Sequence, residues 1–137
     1  MSRQTFLNGD ADVAKRGKQH LKFTAERMQM YSDNYEIYKE GNEDYPPFYE
    51  YDLCFDFVES DGDYNDGAPY FRYQMSYGGP SDEFRFYEPD MIEYVFLDWF
   101  VGVGFDVTDE PWAQWLRDNL KERGMLDFNA KREEHVL

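Results

Sequence analysis

The stretch Phe48-Tyr-Glu-Tyr-Asp-Leu-Cys-Phe-Asp-Phe57 decides how the chain is read. Tyr49, Tyr51, Leu53, Phe55 and Phe57 alternate with Glu50, Asp52, Cys54 and Asp56. A period of two puts the first set on one face of a β-strand and the acids on the other. Three further strands follow. Phe71, Tyr73, Met75 and Tyr77 alternate with Arg72, Gln74 and Ser76 from about Pro69. Glu83 to Glu88 carries Phe84 and Phe86 against Arg85, and Met91 to about Phe100 forms the fourth. Gly78-Gly-Pro-Ser-Asp82 and Pro89-Asp90 have the composition of turns.

Working outward, Val13, Leu21, Ala25, Met28, Tyr31, Tyr35 and Tyr38 recur at helical steps, with Asp10 or Asp12 as the cap and Gly41 as the stop. Gly17 weakens the start and moves the firm helix toward Gln19. Pro46-Pro47 forces an extended segment before the first strand. Beyond the fourth strand, Val101-Gly-Val-Gly-Phe-Asp106 reads as a loop. Thr108 or Asp109 then caps a second helix, with Pro111 in its first turn, a stripe of Trp112, Trp115, Leu116 and Leu120, and Gly124 at its end. The expected fold is therefore α+β: a four-stranded antiparallel meander with an N-terminal and a C-terminal helix packed on it. It forms one domain over 1–137, with 1–9 a flexible arm and 125–137 a loose tail. The fourth strand, apolar on both faces at Tyr94-Val-Phe-Leu97, would sit at the sheet edge. Such an edge invites pairing, so a homodimer is an open alternative.

The 137 residues suit one domain, and 27 aromatics exclude an acidic disordered tail. Net charge is -15, and it is uneven. Residues 1–30 carry +3, residues 31–110 carry -18, and residues 111–137 are neutral. Residues 31–110 also hold 22 of the aromatics. Charge of this sign disfavours nucleic acid and anionic membranes as direct partners and favours a basic one. No apolar run is long enough to span a bilayer, and the first ten residues lack a signal-peptide core. Cys54 is alone, so the expected setting is the cytoplasm.

Familiar chemistries find little support. Gly102-Val-Gly104 lacks the third glycine of a dinucleotide loop. Asp61-Gly-Asp63-Tyr-Asn65-Asp66-Gly67 begins like a calcium loop, but Asp66 stands at the glycine position and Arg72 where a bidentate Glu is needed. His20 and His135 are the only histidines, and Asp52 and Asp56 flank Cys54 in a way that disfavours a thiolate. The expectation is a non-enzymatic protein with no cofactor and no metal.

What remains is the acidic side of the sheet. Its plain reading is a solvated surface. Its functional reading uses spacing. Residues two apart on a strand lie roughly 6.6–6.8 Å apart, about the rise of two nucleotides. Glu50, Asp52, Asp56, Glu59, Asp61, Asp63 and Asp66, with Asp82, Glu83, Glu88 and Asp90, would present charge at near-phosphate spacing, and Tyr64 and Tyr87 would anchor it.

Small, acidic, aromatic-rich α+β chains without a catalytic motif resemble phage- and plasmid-encoded inhibitors of host defence, including anti-CRISPR and anti-restriction proteins that imitate DNA. Ser76-Tyr-Gly-Gly-Pro-Ser-Asp-Glu-Phe-Arg-Phe86 and Ile92-Glu-Tyr-Val-Phe-Leu-Asp-Trp99 look like segments of small proteins carried on mobile elements. The resemblance implies binding to a nuclease or nucleic-acid-binding complex and transfers no individual residue. The basic first thirty residues depart from an all-over mimic. The competing expectation is an immunity- or antitoxin-like binding module without mimicry.

Overall fold

A computed structural model describes residues 3–59, 67–76 and 79–136, the last three as backbone alone. In chain order the elements are β1 (Arg3–Asn8), α1 (Ala11–Asp33), α2 (Tyr35–Glu40), a 3-10 turn (Phe48–Glu50), β2 (Cys54–Val58), β3 (Tyr70–Ser76), β4 (Ser81–Phe86), β5 (Ile92–Asp98), β6 (Val101–Asp106), α3 (Pro111–Glu122) and α4 (Phe128–Val136). The class is α+β with an antiparallel sheet, but the sheet has six strands, not four, in the order β1-β6-β5-β4-β3-β2.

Both extra strands come from segments expected to be irregular. Residues 3–8 are not a flexible arm. They form the edge strand β1, paired with β6, which is the segment expected to be a loop. The glycines explain the fit. A Cβ at Gly104 would lie 2.4 Å from Thr5 Oγ1 and 2.5 Å from the Phe6 ring. Gly104 is bare so that Thr5 and Phe6 can lie against β6. The expected fourth strand ends at Asp98, and Trp99-Phe100 turns the chain into β6. Hence β5 lies between β4 and β6. It is apolar on both faces because it is central, which removes the edge argument for a homodimer.

The first expected strand is also shorter. Phe48 folds under the helices, 3% exposed, with its ring 5.5 Å from Tyr31, 5.1 Å from Tyr38 and 5.2 Å from Trp115. This anchor curls Phe48–Glu50 into the 3-10 turn, and pairing starts only at Cys54.

α1 starts at Ala11, not near Gln19. Asp10 caps it by accepting from Asp12 N at 3.0 Å and Val13 N at 3.3 Å. Gly17 does not break it. The helix turns aside at Asn34, so Tyr35 and Tyr38 belong to α2. The N-cap position of α3 is held by Glu110 rather than Thr108 or Asp109, without a side-chain capping bond, and Pro111 stands at its start as expected. Thr108 instead donates to Asp106 Oδ1 at 2.6 Å.

The helices cover one face of the sheet. Phe71, Tyr73, Phe84, Phe86, Ile92, Tyr94, Phe96, Val103 and Phe105 pack there against Val13, Met28 and Tyr31 of α1 and Trp112, Ala113, Leu116 and Leu120 of α3. On the other face, the register aligns Asp56, Arg72, Arg85, Glu93 and Asp106 in one row across five strands, with Arg3 opposite Asp106 at the edge.

Candidate partner-binding surface

The arginines of that row neutralise two of the expected acids, Asp56 and Glu83. Asp56 is matched by Arg72, which donates from Nε at 2.9 Å and from Nη2 at 2.6 Å. Glu83 is 1% exposed, and Arg85 Nε donates to its Oε2 at 2.7 Å. The Arg85 guanidinium also lies 4.7 Å from the Tyr70 ring centre. Tyr87 is not an exposed anchor. It is buried, with its hydroxyl 3.4 Å from Glu93 Oε1. Opposite charges placed side by side, across β2 and β3 for Asp56 and Arg72 and along β4 for Glu83 and Arg85, satisfy one another.

Asp82 lies on the opposite face, beneath α1. Its Oδ1 accepts from Ser76 Oγ at 2.5 Å, and its Oδ2 accepts from Tyr94 Oη at 2.8 Å and Thr24 Oγ1 at 3.4 Å. Burial and the neighbouring Asp82 charge hold the Tyr94 phenol well above its ordinary range. A phenol that keeps its proton is a fixed donor, so this carboxylate is a core element and not a surface charge.

Glu88 and Asp90 sit in the β4–β5 turn and face cations. Arg132 Nη1 donates to Glu88 Oε1 at 2.5 Å, while Arg117 and Lys121 lie 3.9 and 3.6 Å from Asp90 Oδ1. Glu59 is exposed just beyond β2. Asp61, Asp63, Tyr64 and Asp66, and with them most of the calcium-like loop, lie outside the described residues. Among the described residues Glu50, Asp52 and Asp56 do not share one row at strand spacing, because Glu50 and Asp52 precede β2 and Asp56 is paired.

Glu50 and Asp52 nevertheless belong to an acidic surface, one that strand reasoning missed. Residues 33–53 contain Asp33, Glu36, Glu40, Glu43, Asp44, Glu50 and Asp52 against one cation, Lys39. All seven except Asp52 are exposed. Among the described residues, no ion pair reaches any of the seven. Asp52 is half-buried, and loss of solvent raises its carboxyl above the ordinary range. Tyr35, Tyr49 and Leu53 stand among these acids, 67%, 60% and 55% exposed. Counting charge along the sequence could have found this cluster. Reading the segment as a helix end and a linker concealed it.

The surface is well held. Tyr38 stacks between Tyr35 and Phe48, at 5.8 and 5.1 Å, and its hydroxyl donates to Asn119 Oδ1 at 3.0 Å. Tyr31 donates to Pro46 O at 2.6 Å. Asn42 Oδ1 accepts from the backbone of Asp44 and of Tyr45, both at 2.9 Å. Rings and hydrogen bonds therefore fix α2, the linker and the 3-10 turn relative to the core.

Among the described residues, no cluster of His, Cys, Asp and Glu has the form of a metal site, and no helix is long and apolar enough to cross a membrane. His20 lies 4.6 Å from the Phe96 ring, a packing contact. No protein-family model, curated protein or solved structure matches the chain.

Proposed function

We propose that the protein is a non-enzymatic inhibitor whose acidic surface over residues 33–53 occupies the basic nucleic-acid-binding surface of another protein, such as a host-defence nuclease or a CRISPR complex. One observation carries the reading: residues 33–53 hold seven carboxylates and one lysine together with exposed Tyr35, Tyr49 and Leu53, no ion pair reaches those carboxylates among the described residues, and the neighbouring Arg27 guanidinium lies over the Tyr45 and Tyr51 rings. Unpaired charge attracts a basic partner over distance and speeds encounter. The tyrosines and Leu53 supply contact area once the surfaces meet. Because the segment is already held, docking orders little chain and keeps more of the contact energy.

The test is capture from host lysate on immobilised protein, with duplex DNA as competitor and with stepped salt. Wild type should retain a basic nucleic-acid-binding protein that salt and duplex both displace. Glu36→Lys/Glu40→Lys/Glu50→Lys should retain none. Retention that neither competitor duplex nor charge reversal alters would remove the proposal.

A further inference from the structure

The turn between β5 and β6 carries the two most exposed large apolar side chains among the described residues, Trp99 at 82% and Phe100 at 91%. Asp98 pairs with Val101, so these two residues are the whole turn. Trp99 has a φ of 59°, the one positive value at a non-glycine residue among those described. Positive φ at the first turn position alone is the pattern that ordinarily takes glycine. A bulky aromatic there is unfavourable both in backbone and in solvation, and such local conflict marks a site kept for another purpose.

The tip is held in place. Arg16 Nη1 donates to Asp98 Oδ2 at 2.5 Å, and Asn8 Nδ2 donates to Phe100 O at 3.1 Å. A Cβ at Gly79 would come 3.0 Å from Trp99 Nε1, so a bare position leaves room for the indole. Beside the tip runs the first half of α1. It exposes Lys15, Lys18 and Lys22, none in an ion pair among the described residues, and Phe23 at 58%. Residues 11–30 hold five cations and two acids, in a chain whose total is -15.

One end of α1 is thus basic and aromatic, and the other adjoins the acidic tyrosine-bearing surface over 33–53. The helix has 23 residues. At 1.5 Å per residue, roughly 25 Å of helix separates the Arg16 turn beside the tip from Asp33, so the tip does not reach its own acidic surface. Phe23, half-way along, is already linked to that surface through Arg27, which lies 4.7 Å from the Phe23 ring and 4.9 Å from the Tyr45 ring. The tip and the acidic surface can meet between molecules. We infer that the Trp99–Phe100 tip and the lysine side of α1 dock on the 33–53 surface of a second copy, head to tail. Charge complementarity selects this occupant, because the chain itself carries both halves of the contact. The contact is heterologous, so it propagates from copy to copy, and net negative charge limits its growth. It gives the tip a role that the inhibitor reading leaves idle.

Sedimentation velocity in about 150 mM salt, from about 5 to 500 µM, tests it. Wild type should gain mass with concentration. Trp99→Ala/Phe100→Ala should stay monomeric over that range, and so should Glu36→Lys/Glu40→Lys/Glu43→Lys, each with unchanged far-ultraviolet dichroism. An equimolar mixture of the two variants should form a one-to-one dimer and nothing larger, since each retains the half that the other lacks. A wild type that stays monomeric, a tip variant that still assembles, or a mixture that stays monomeric would overturn the inference. The tip variant keeps the acidic surface, so its capture of a basic partner reports on the inhibitor reading separately.

Discussion

Gly17 of α1 passes so close to Val103 of β6 that a Cβ at position 17 would lie 2.2 Å from Val103 Cγ1. Alanine is the better helix former by about 1 kcal/mol, but here steric overlap outweighs it. Gly17→Ala should lower stability by about 1–3 kcal/mol in urea melts. Gly17→Ala/Val103→Ala should lose less than the two single changes added together, which a double-mutant cycle reads directly.

Glu83 and Arg85 form an ion pair with side chains 2% and 8% exposed. Arg85→Met would strand the Glu83 charge and should cost about 3–5 kcal/mol. Glu83→Leu/Arg85→Met removes both charges and should be milder than Arg85→Met alone, measured as denaturation midpoints at pH 7. A double variant as damaged as the single would show that the pair matters for more than mutual neutralisation.

Asp52 illustrates a cost borne at the acidic surface. Its carboxyl is raised by loss of solvent, so the folded state disfavours its charge. A raised carboxyl contributes stability as pH falls through its folded value and loses it as the group ionises. Asp52→Asn should therefore stabilise the fold at pH 7, by less than about 1 kcal/mol, with a gain that shrinks toward pH 4. The same change should weaken capture of a basic partner.

Burial pushes the Tyr51 phenol up to about 12 and raises Tyr31, Tyr73 and Tyr94 as well. Below the unfolded value of about 10, both states keep their protons and this contribution is flat. Above it the unfolded chain ionises first, so stability should fall as pH rises through the folded value. Urea melts from pH 8 to 12 should show a plateau and then a decline, and Tyr51→Phe should make the decline shallower.

Trp99→Gly replaces an aromatic at positive φ with the residue that such a turn ordinarily takes. It should raise monomer stability by about 1 kcal/mol or less while abolishing self-association. Thermal melts at low protein concentration read the first effect and sedimentation the second.

How far the sequence could be read depended on whether a residue's own neighbours decided its fate. Phe71, Tyr73, Phe84 and Phe86 alternate cleanly and were legible as sheet. Pro111, Trp112, Leu116 and Leu120 announced α3 in the same way. β1 and β6 were not legible, because Gly102 and Gly104 look like a flexible loop until Thr5 and Phe6 supply the reason for them. That reason lies almost a hundred residues away. Tyr87 carries a polar atom that reads as exposed, and only the cross-strand register reveals Glu93 beside it, whereas Glu83 and Arg85 sit two apart on β4 and it is their shared burial that the sequence does not display. Phe48 reads as strand, yet it is drawn under Tyr31, Tyr38 and Trp115, three partners that periodicity does not display.

Arg3 stands opposite Asp106 in the finished sheet. During synthesis β1, one of the two edge strands, is therefore made before its partner and must wait, unpaired, while more than ninety residues emerge. Once residues 101–106 leave the ribosome their partner is already present, so the bare edge of β6 need never stay open to another chain.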